Sequence, residues 1–136
     1  MSEITIRRAF ESRLKNWADA QTPPIPLAFE NIPFDPPSAT YLSCFLINAN
    51  NISFTLDRRH IRYSGIFQIN VHVPVNTGAG LPAEIAAALR TIFNPSTVIV
   101  QNSANIYVMQ PLSIGPSIQE GDFFFVPLSI EYSLDS

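Results

Sequence analysis

Arg58 to Gly80 reads RRHIRYSGIFQINVHVPVNTGAG, and its alternation decides the fold class. From Ile61 the odd positions are Ile61, Tyr63, Gly65, Phe67, Ile69, Val71 and Val73. The even positions are Arg62, Ser64, Ile66, Gln68, Asn70, His72 and Pro74, and among these Ile66 breaks the polar run. A period of two with one apolar and one polar face predicts a long, half-buried strand. Pro74 stops it, and Asn76, Gly78 and Gly80 provide the turn that follows. The polar face carries amides and an imidazole, so the strand reads as a scaffold and not as a set of acid, base and nucleophile.

Working outward, Tyr41 to Ala49 is apolar on both faces and predicts an interior strand. Ile52, Phe54 and Leu56 alternate with Ser53, Thr55 and Asp57, and Asn48 to Asn51 makes a turn, so these two segments predict a hairpin. Downstream, Pro82 suits the first turn of a helix. Ile85, Leu89, Ile92 and Phe93 form its stripe, Ala86, Ala87 and Ala88 allow close approach to a sheet, and Asn94-Pro95 ends it. Val98 to Gln101 and Ile106 to Gln110 predict a second hairpin. In the last strand Phe124, Val126, Leu128, Ile130, Tyr132 and Leu134 share one face, and Phe123, Phe125, Pro127, Ser129, Glu131 and Ser133 the other. Pro127 lacks an amide donor, which argues for an edge strand or a bulge.

At the N-terminus Ile6, Phe10, Leu14 and Trp17 fall on one helical stripe, so residues 3 to 20 predict an amphipathic helix, capped by Ser2. Residues 21 to 40 hold half of the twelve prolines, which excludes a continuous helix and leaves room for a short edge strand around Leu27 to Glu30. This stretch is too apolar for a free linker and reads as an extended arm laid on the domain or on a neighbour. The chain from 1 to 136 is thus expected to be one domain of the α+β class, a mostly antiparallel sheet packed with an N-terminal helix and a second central helix.

Only 14% of residues are charged against 46% hydrophobic, a surface economy that suits a protein covered by copies of itself or by partners, although a monomer with a polar, uncharged surface would share it. All eight basic residues lie at or before Arg90, and from Thr91 onward the charges are Glu120, Asp122, Glu131 and Asp135. A basic and an acidic half suit head-to-tail contact between identical subunits. The net charge of −3 gives no footprint for nucleic acid. Cys44 is the lone cysteine and reads as a small buried hydrophobe in a reducing compartment. The charged N-terminus lacks a signal-peptide core, and no apolar run reaches membrane-span length, so a cytoplasmic site of synthesis and no membrane partner are expected.

The usual catalytic motifs are missing: no CxxC, HExxH, GxSxG, P-loop or GxGxxG occurs. His60 and His72 lack ligand spacing, and Ser43 and Cys44 have no base nearby in sequence. Arg58, Arg59, His60 and Arg62 form the one basic cluster. It could be a weak nucleic-acid patch, a solvated hairpin tip, or a contact to carboxylates such as Glu120 and Asp122 of a neighbouring subunit or of another assembly component. The third reading is favoured, because the guanidinium fork bonds carboxylates bidentately. Phe123 and Phe125 face away from the core stripe, so either a second layer covers them or they anchor an interface. Asp57–His60, Val75–Gly80 and Gln110–Asp122 read as loops that order when neighbours arrive.

Taken in order, these features resemble the tail terminator-like proteins of long-tailed bacteriophages. The matching parts are the short helix ending near Trp17, Phe29-Glu30-Asn31 and Phe34-Asp35-Pro36-Pro37 of the arm, and Tyr41 with its apolar strand. They continue through Tyr63, Gly65-Ile66-Phe67-Gln68 and Val71, the Gly78, Gly80 loop, the alanine-rich helix and the strand Phe124 to Tyr132. The region Gln110 to Gly121 matches least. The resemblance implies a structural virion protein, assembled in the host cytoplasm. Such proteins form a ring, typically of six copies, on the head-proximal end of the tail tube. The ring ends tube polymerisation and presents the docking surface for the head connector. Its partners would be itself, the tail tube protein and the head-tail connector or head-completion protein, with no enzyme activity, cofactor or metal, and no sequence-specific nucleic acid. The competing readings are another neck or head-completion component and a small-ligand-binding α+β module.

Overall fold

The computed structural model describes residues 2–21, 24–30, 32, 39–48, 52–53, 61–75, 80–101, 104–121 and 123–135. Their elements are α1 (Ser2–Asp19), β1 (Leu27–Ala28), β2 (Tyr41–Asn48), β3 (Ile52–Ser53), β4 (Ile61–Pro74), α2 (Gly80–Ile92), β5 (Val98–Gln101), β6 (Ala104–Val108), β7 (Ser113–Ile114), β8 (Ile118–Glu120) and β9 (Phe123–Asp135). The described strands join one sheet in the order β1-β2-β4-β9-β6-β5. Every pairing is antiparallel except β1 with β2. This is the expected α+β class.

The spine is the pair β4 and β9, in unbroken register from Arg62 opposite Asp135 to Pro74 opposite Phe123. The alternation that predicted β4 is the cause: Phe67, Ile69, Val71 and Val73 are fully buried on one face, against Val126, Leu128, Ile130, Tyr132 and Leu134 of β9. Both helices cover that face. Ile6, Phe10 and Leu14 of α1 are fully buried, and Phe10 stacks on Phe67 with ring centroids 4.9 Å apart. Phe10 also meets Phe93, just past α2, at 5.7 Å and Tyr132 at 5.6 Å. Each such fully buried side chain contributes about 1.5–3 kcal/mol relative to exposure. Ile85, Ala86 and Leu89 bury the inner stripe of α2.

Three expectations are corrected. The segments around 41–49 and 52–57 are not hairpin partners. β2 pairs with β4 through Tyr41↔His72 to Asn48↔Gly65, and β3 continues along the same edge of β4 through Ile52↔Arg62; Phe54–Asp57 lie outside the described residues. A fourteen-residue β4 is long enough to serve both. β2 is interior, yet only Leu42, Cys44 and Leu46 are buried, on one face. Pro127 is on neither an edge strand nor a bulge. Its carbonyl accepts from Gly115 N at 2.8 Å, so its missing N–H points at the same side, into the break between β7 and β8 where no ladder donor is needed.

The arm is held at both ends of its described part. Leu42 N donates to Pro26 O at 2.9 Å. The Glu30 carboxylate accepts from Leu46 N at 2.6 Å and from Arg7 at 3.1 Å, so a side chain completes the outer edge of β2 where β1 stops. The segment read as a loop from Gln110 to Asp122 instead runs back along β9 as β7 and β8, anchored by buried Leu112, whose carbonyl accepts from Arg90 at 2.8 Å. Pro111 and Pro116 break its alternation, which hides these short strands from a periodicity reading.

Candidate assembly surface

The helices leave the second face of the sheet without a covering layer among the described residues. The registers place Phe45 and Ile47 of β2 and Gln68 and Asn70 of β4 on it. Ser129 and Phe125 of β9, Tyr107 of β6 and Val98 and Val100 of β5 share it. A solvated antiparallel face normally alternates to polar residues. Here it keeps large apolar side chains in water, from Phe45 at 37% exposed to Val100 at 63%. Exposed apolar surface of this kind is found at protein–protein and membrane contacts and in ligand-binding grooves, which makes this face the candidate surface.

One end of this face is built from rings. Tyr41 and His72 are register partners across β2 and β4, and their rings stack at 4.3 Å with planes 3° apart. Phe123 stands edge-on to Tyr41 at 5.6 Å, and Phe125 is tilted on His72 at 5.3 Å. Ser43, diagonal to His72, hydrogen-bonds its Nε2 at 2.9 Å and so fixes the imidazole plane. Burial pushes the His72 imidazole below its ordinary range, opposed in part by Glu120. Burial, and then Glu120, push the Tyr41 hydroxyl up. The plate is therefore uncharged at neutral pH, with one carboxylate close to its rim.

The expected site residues separate into two groups. Glu120 is exposed on β8 opposite Phe123, and Phe123 and Phe125 are half-buried in the plate, so the structure brings these three together. Arg62 is exposed on the same face at the far end of β4. Twelve positions of strand put it roughly 40 Å from the Glu120 end. Arg58, Arg59, His60 and Asp122 lie outside the described residues. Sequence reasoning missed Tyr41, Ser43 and His72 as parts of one cluster. The signal was the polar face of β4, but pairing β2 with β4 requires a register that local pattern does not supply.

A second concavity lies on the helical side. Trp17, Ile25, Pro26, Leu81, Ile85 and Ala88 line an apolar groove of about 500 Å³ between the end of α1, the arm and α2.

Comparison with known proteins gives this fold a family. Residues 5–132 match the model of a family described as phage tail terminator protein. The chain belongs to the phage tail terminator family. A solved structure is 35% identical and superposes with a TM-score of 0.84, covering 98% of this chain and 96% of that one. The comparison with curated proteins returned no match. The terminator is thus a structural, virion-associated component of a phage tail. In the terminator fold, the Gly65-Ile66-Phe67-Gln68 element has distinct physical duties. Gly65 admits the Tyr132 ring, Phe67 stacks on Phe10, and Gln68 donates to Asn70 Oδ1 at 2.9 Å. Asn31 and Phe34–Pro37 lie outside the described residues.

Proposed function

We propose that this terminator closes the head-proximal end of a phage tail tube as a ring of identical copies, typically six. It thereby stops tube polymerisation and presents the surface on which the head connector docks. The observation that carries the reading is a family member whose sheet, among the described residues, has one uncovered face on which Phe45, Ile47, Val98, Val100 and Tyr107 are exposed. A structural protein that works alone has no use for such a face, whereas a ring subunit buries it against its neighbours. The low charge of the chain and the absence of lysine and arginine after Arg90 support repeated contact of unlike surfaces, which is how a closed ring is built.

The decisive experiment compares tails from a phage carrying this gene with tails from the same phage lacking it. The expected result is a ring of this chain at the head-proximal end of normal tails. Without the gene, tubes of unregulated length that do not join heads are expected. Tails of normal length and attachment in its absence would overturn the reading. If filled heads from the deletion lack a component and the tails are complete, the chain is instead a head-completion protein.

A further inference from the structure

We propose that the apolar groove of the helical layer is a docking site for a peptide segment of another protein, one that carries an apolar side chain next to a lysine or arginine. The groove belongs to the layer that covers the core face of the sheet, so the proposal stands apart from the open face and from the ring reading.

The groove is formed before anything binds. Trp17 of α1, Ile25 and Pro26 of the arm, and Ile85 and Ala88 of α2 wall a space of about 500 Å³. Ile25 N donates to Ala18 O at 3.1 Å and ties the arm to α1, while Leu42 N donates to Pro26 O at 2.9 Å and ties it to β2. Gln21, also on the wall, donates through Nε2 to Trp17 O at 3.0 Å. Pro24 and Pro26 hold the arm backbone at a set φ. On the other wall, buried Ile85 and Leu89 seat α2 on the core. A site whose walls are already fixed loses little entropy when a ligand enters.

One charge marks this apolar groove. Glu84 of α2 lines it, is exposed, and has no ion pair or hydrogen bond among the described residues. It stands beyond the first turn of α2, where a carboxylate does little for the helix dipole. The same groove holds the indole of Trp17, whose face attracts a cation. A carboxylate and an indole over an apolar floor suit a side chain with an aliphatic stem and a cationic head. The stem packs along Ile25, Ile85 and Ala88, and the head reaches Glu84.

The space exceeds that of a single basic side chain, so an adjoining apolar residue fills the rest and supplies most of the affinity, while the charge supplies selectivity. Leu81, exposed at the groove, extends the apolar contact. Gln21 keeps its side-chain oxygen, and Thr40 its hydroxyl, for the amide groups of a peptide. Within this chain exposed Ile4 and Arg8, one turn apart on α1, come nearest to the required pattern, so a second copy is one outcome that the test separates.

The test uses the whole purified chain and two blocked dipeptides, N-acetyl-leucyl-arginine amide and N-acetyl-leucyl-glutamate amide. Trp17 is the single tryptophan, so its fluorescence reports the groove directly. The arginine probe should shift its emission to the blue and bind about five-fold tighter than the glutamate probe. Glu84→Gln should remove that preference, and Glu84→Lys should reverse it. Ala88→Leu, which fills the floor of the groove with a good helix former, should abolish binding of both probes at an unchanged melting temperature. In the phage, Ala88→Leu should lower the yield of infectious particles. No emission shift, equal binding of the two probes, full binding by Ala88→Leu or a normal yield of particles from it overturns the proposal. Should Ala88→Leu fail to fold, the reversal in exposed Glu84→Lys decides alone. Sedimentation of the chain by itself is the remaining arm. Self-association that Glu84→Lys or Ala88→Leu removes makes the occupant a second copy and overturns the assignment to another protein.

Discussion

The Tyr132 ring crosses directly over Gly65, and its hydroxyl donates to Asn48 Oδ1 at 2.9 Å. Three adjacent strands, β2, β4 and β9, are thus tied by one side chain that needs the middle strand to carry no Cβ. A Cβ on Gly65 would fall within contact distance of the Ile47 carbonyl oxygen and 2.7 Å from the Tyr132 hydroxyl.

Gly65→Ala should therefore destabilise the chain although alanine is the smaller perturbation elsewhere in a strand. Overpacking of this kind costs about 1–3 kcal/mol, and losing the Tyr132 hydrogen bond adds about 1 kcal/mol. Urea unfolding of the two proteins checks it. Tyr132→Phe in the Gly65→Ala background should recover part of the loss by removing the clashing hydroxyl.

Glu30 is expected to matter more than its half-exposed position suggests. Glu30→Ala leaves Leu46 N without its partner at the edge of β2 and releases Arg7. An orphaned buried donor costs about 1–3 kcal/mol. Hydrogen exchange localises the effect: the Leu46 amide should lose protection while amides of β9 keep theirs. Glu30→Gln, which still offers an acceptor oxygen, should retain most of the protection.

Cys44 should be inert in the native state. Burial, followed by the nearby charges of Glu11 and Glu30, pushes its thiol up to about 12. At pH 8 the native chain should resist iodoacetamide and react fully once unfolded in denaturant, as mass spectrometry would record. The nucleophile is the thiolate, and almost none exists in the folded site.

His72 should make stability fall on mild acidification. Its folded value lies below the unfolded 6.5, so the unfolded chain binds the extra proton first. The contribution is complete above pH 6.5 and is lost as pH falls from there through the folded value. Glu11 opposes this at lower pH, because burial raises its carboxyl above 4.5 and favours its protonated form in the fold. Melting temperatures between pH 7.5 and 5.5 should decline, and His72→Phe, which keeps the stack on Tyr41, should flatten the decline in that window. An unchanged slope in His72→Phe would assign the pH dependence elsewhere.

How far the sequence reached can be judged from particular elements. β4 and β9 were legible in extent and facing because alternation over a dozen residues has one physical reading. α1 was equally plain, since Ile6, Phe10 and Leu14 repeat at helical spacing and are the buried stripe. The β5–β6 hairpin was recovered because its partners are adjacent in the chain. β7 and β8 were lost because two prolines and small polar residues mask strands whose hydrogen bonds come from β9. Of the candidate site, Glu120, Phe123 and Phe125 were singled out from charge placement and from facing away from the core. Tyr41, Ser43 and His72 were not joined to them.

The sequence by itself determined which side of β4 and β9 seeks the core and where the two helices lie. It also set the absence of cations from the last third of the chain. These follow from local periodicity, proline and composition. Tertiary structure decided which strands are neighbours: β2 slides past its expected hairpin partner onto β4, and β9 takes three short strands along one edge. Register between segments distant in the chain depends on how the buried faces pack together and on single close contacts such as Tyr132 over Gly65. That register carries the ring plate at one end of the sheet and Arg62 to the other.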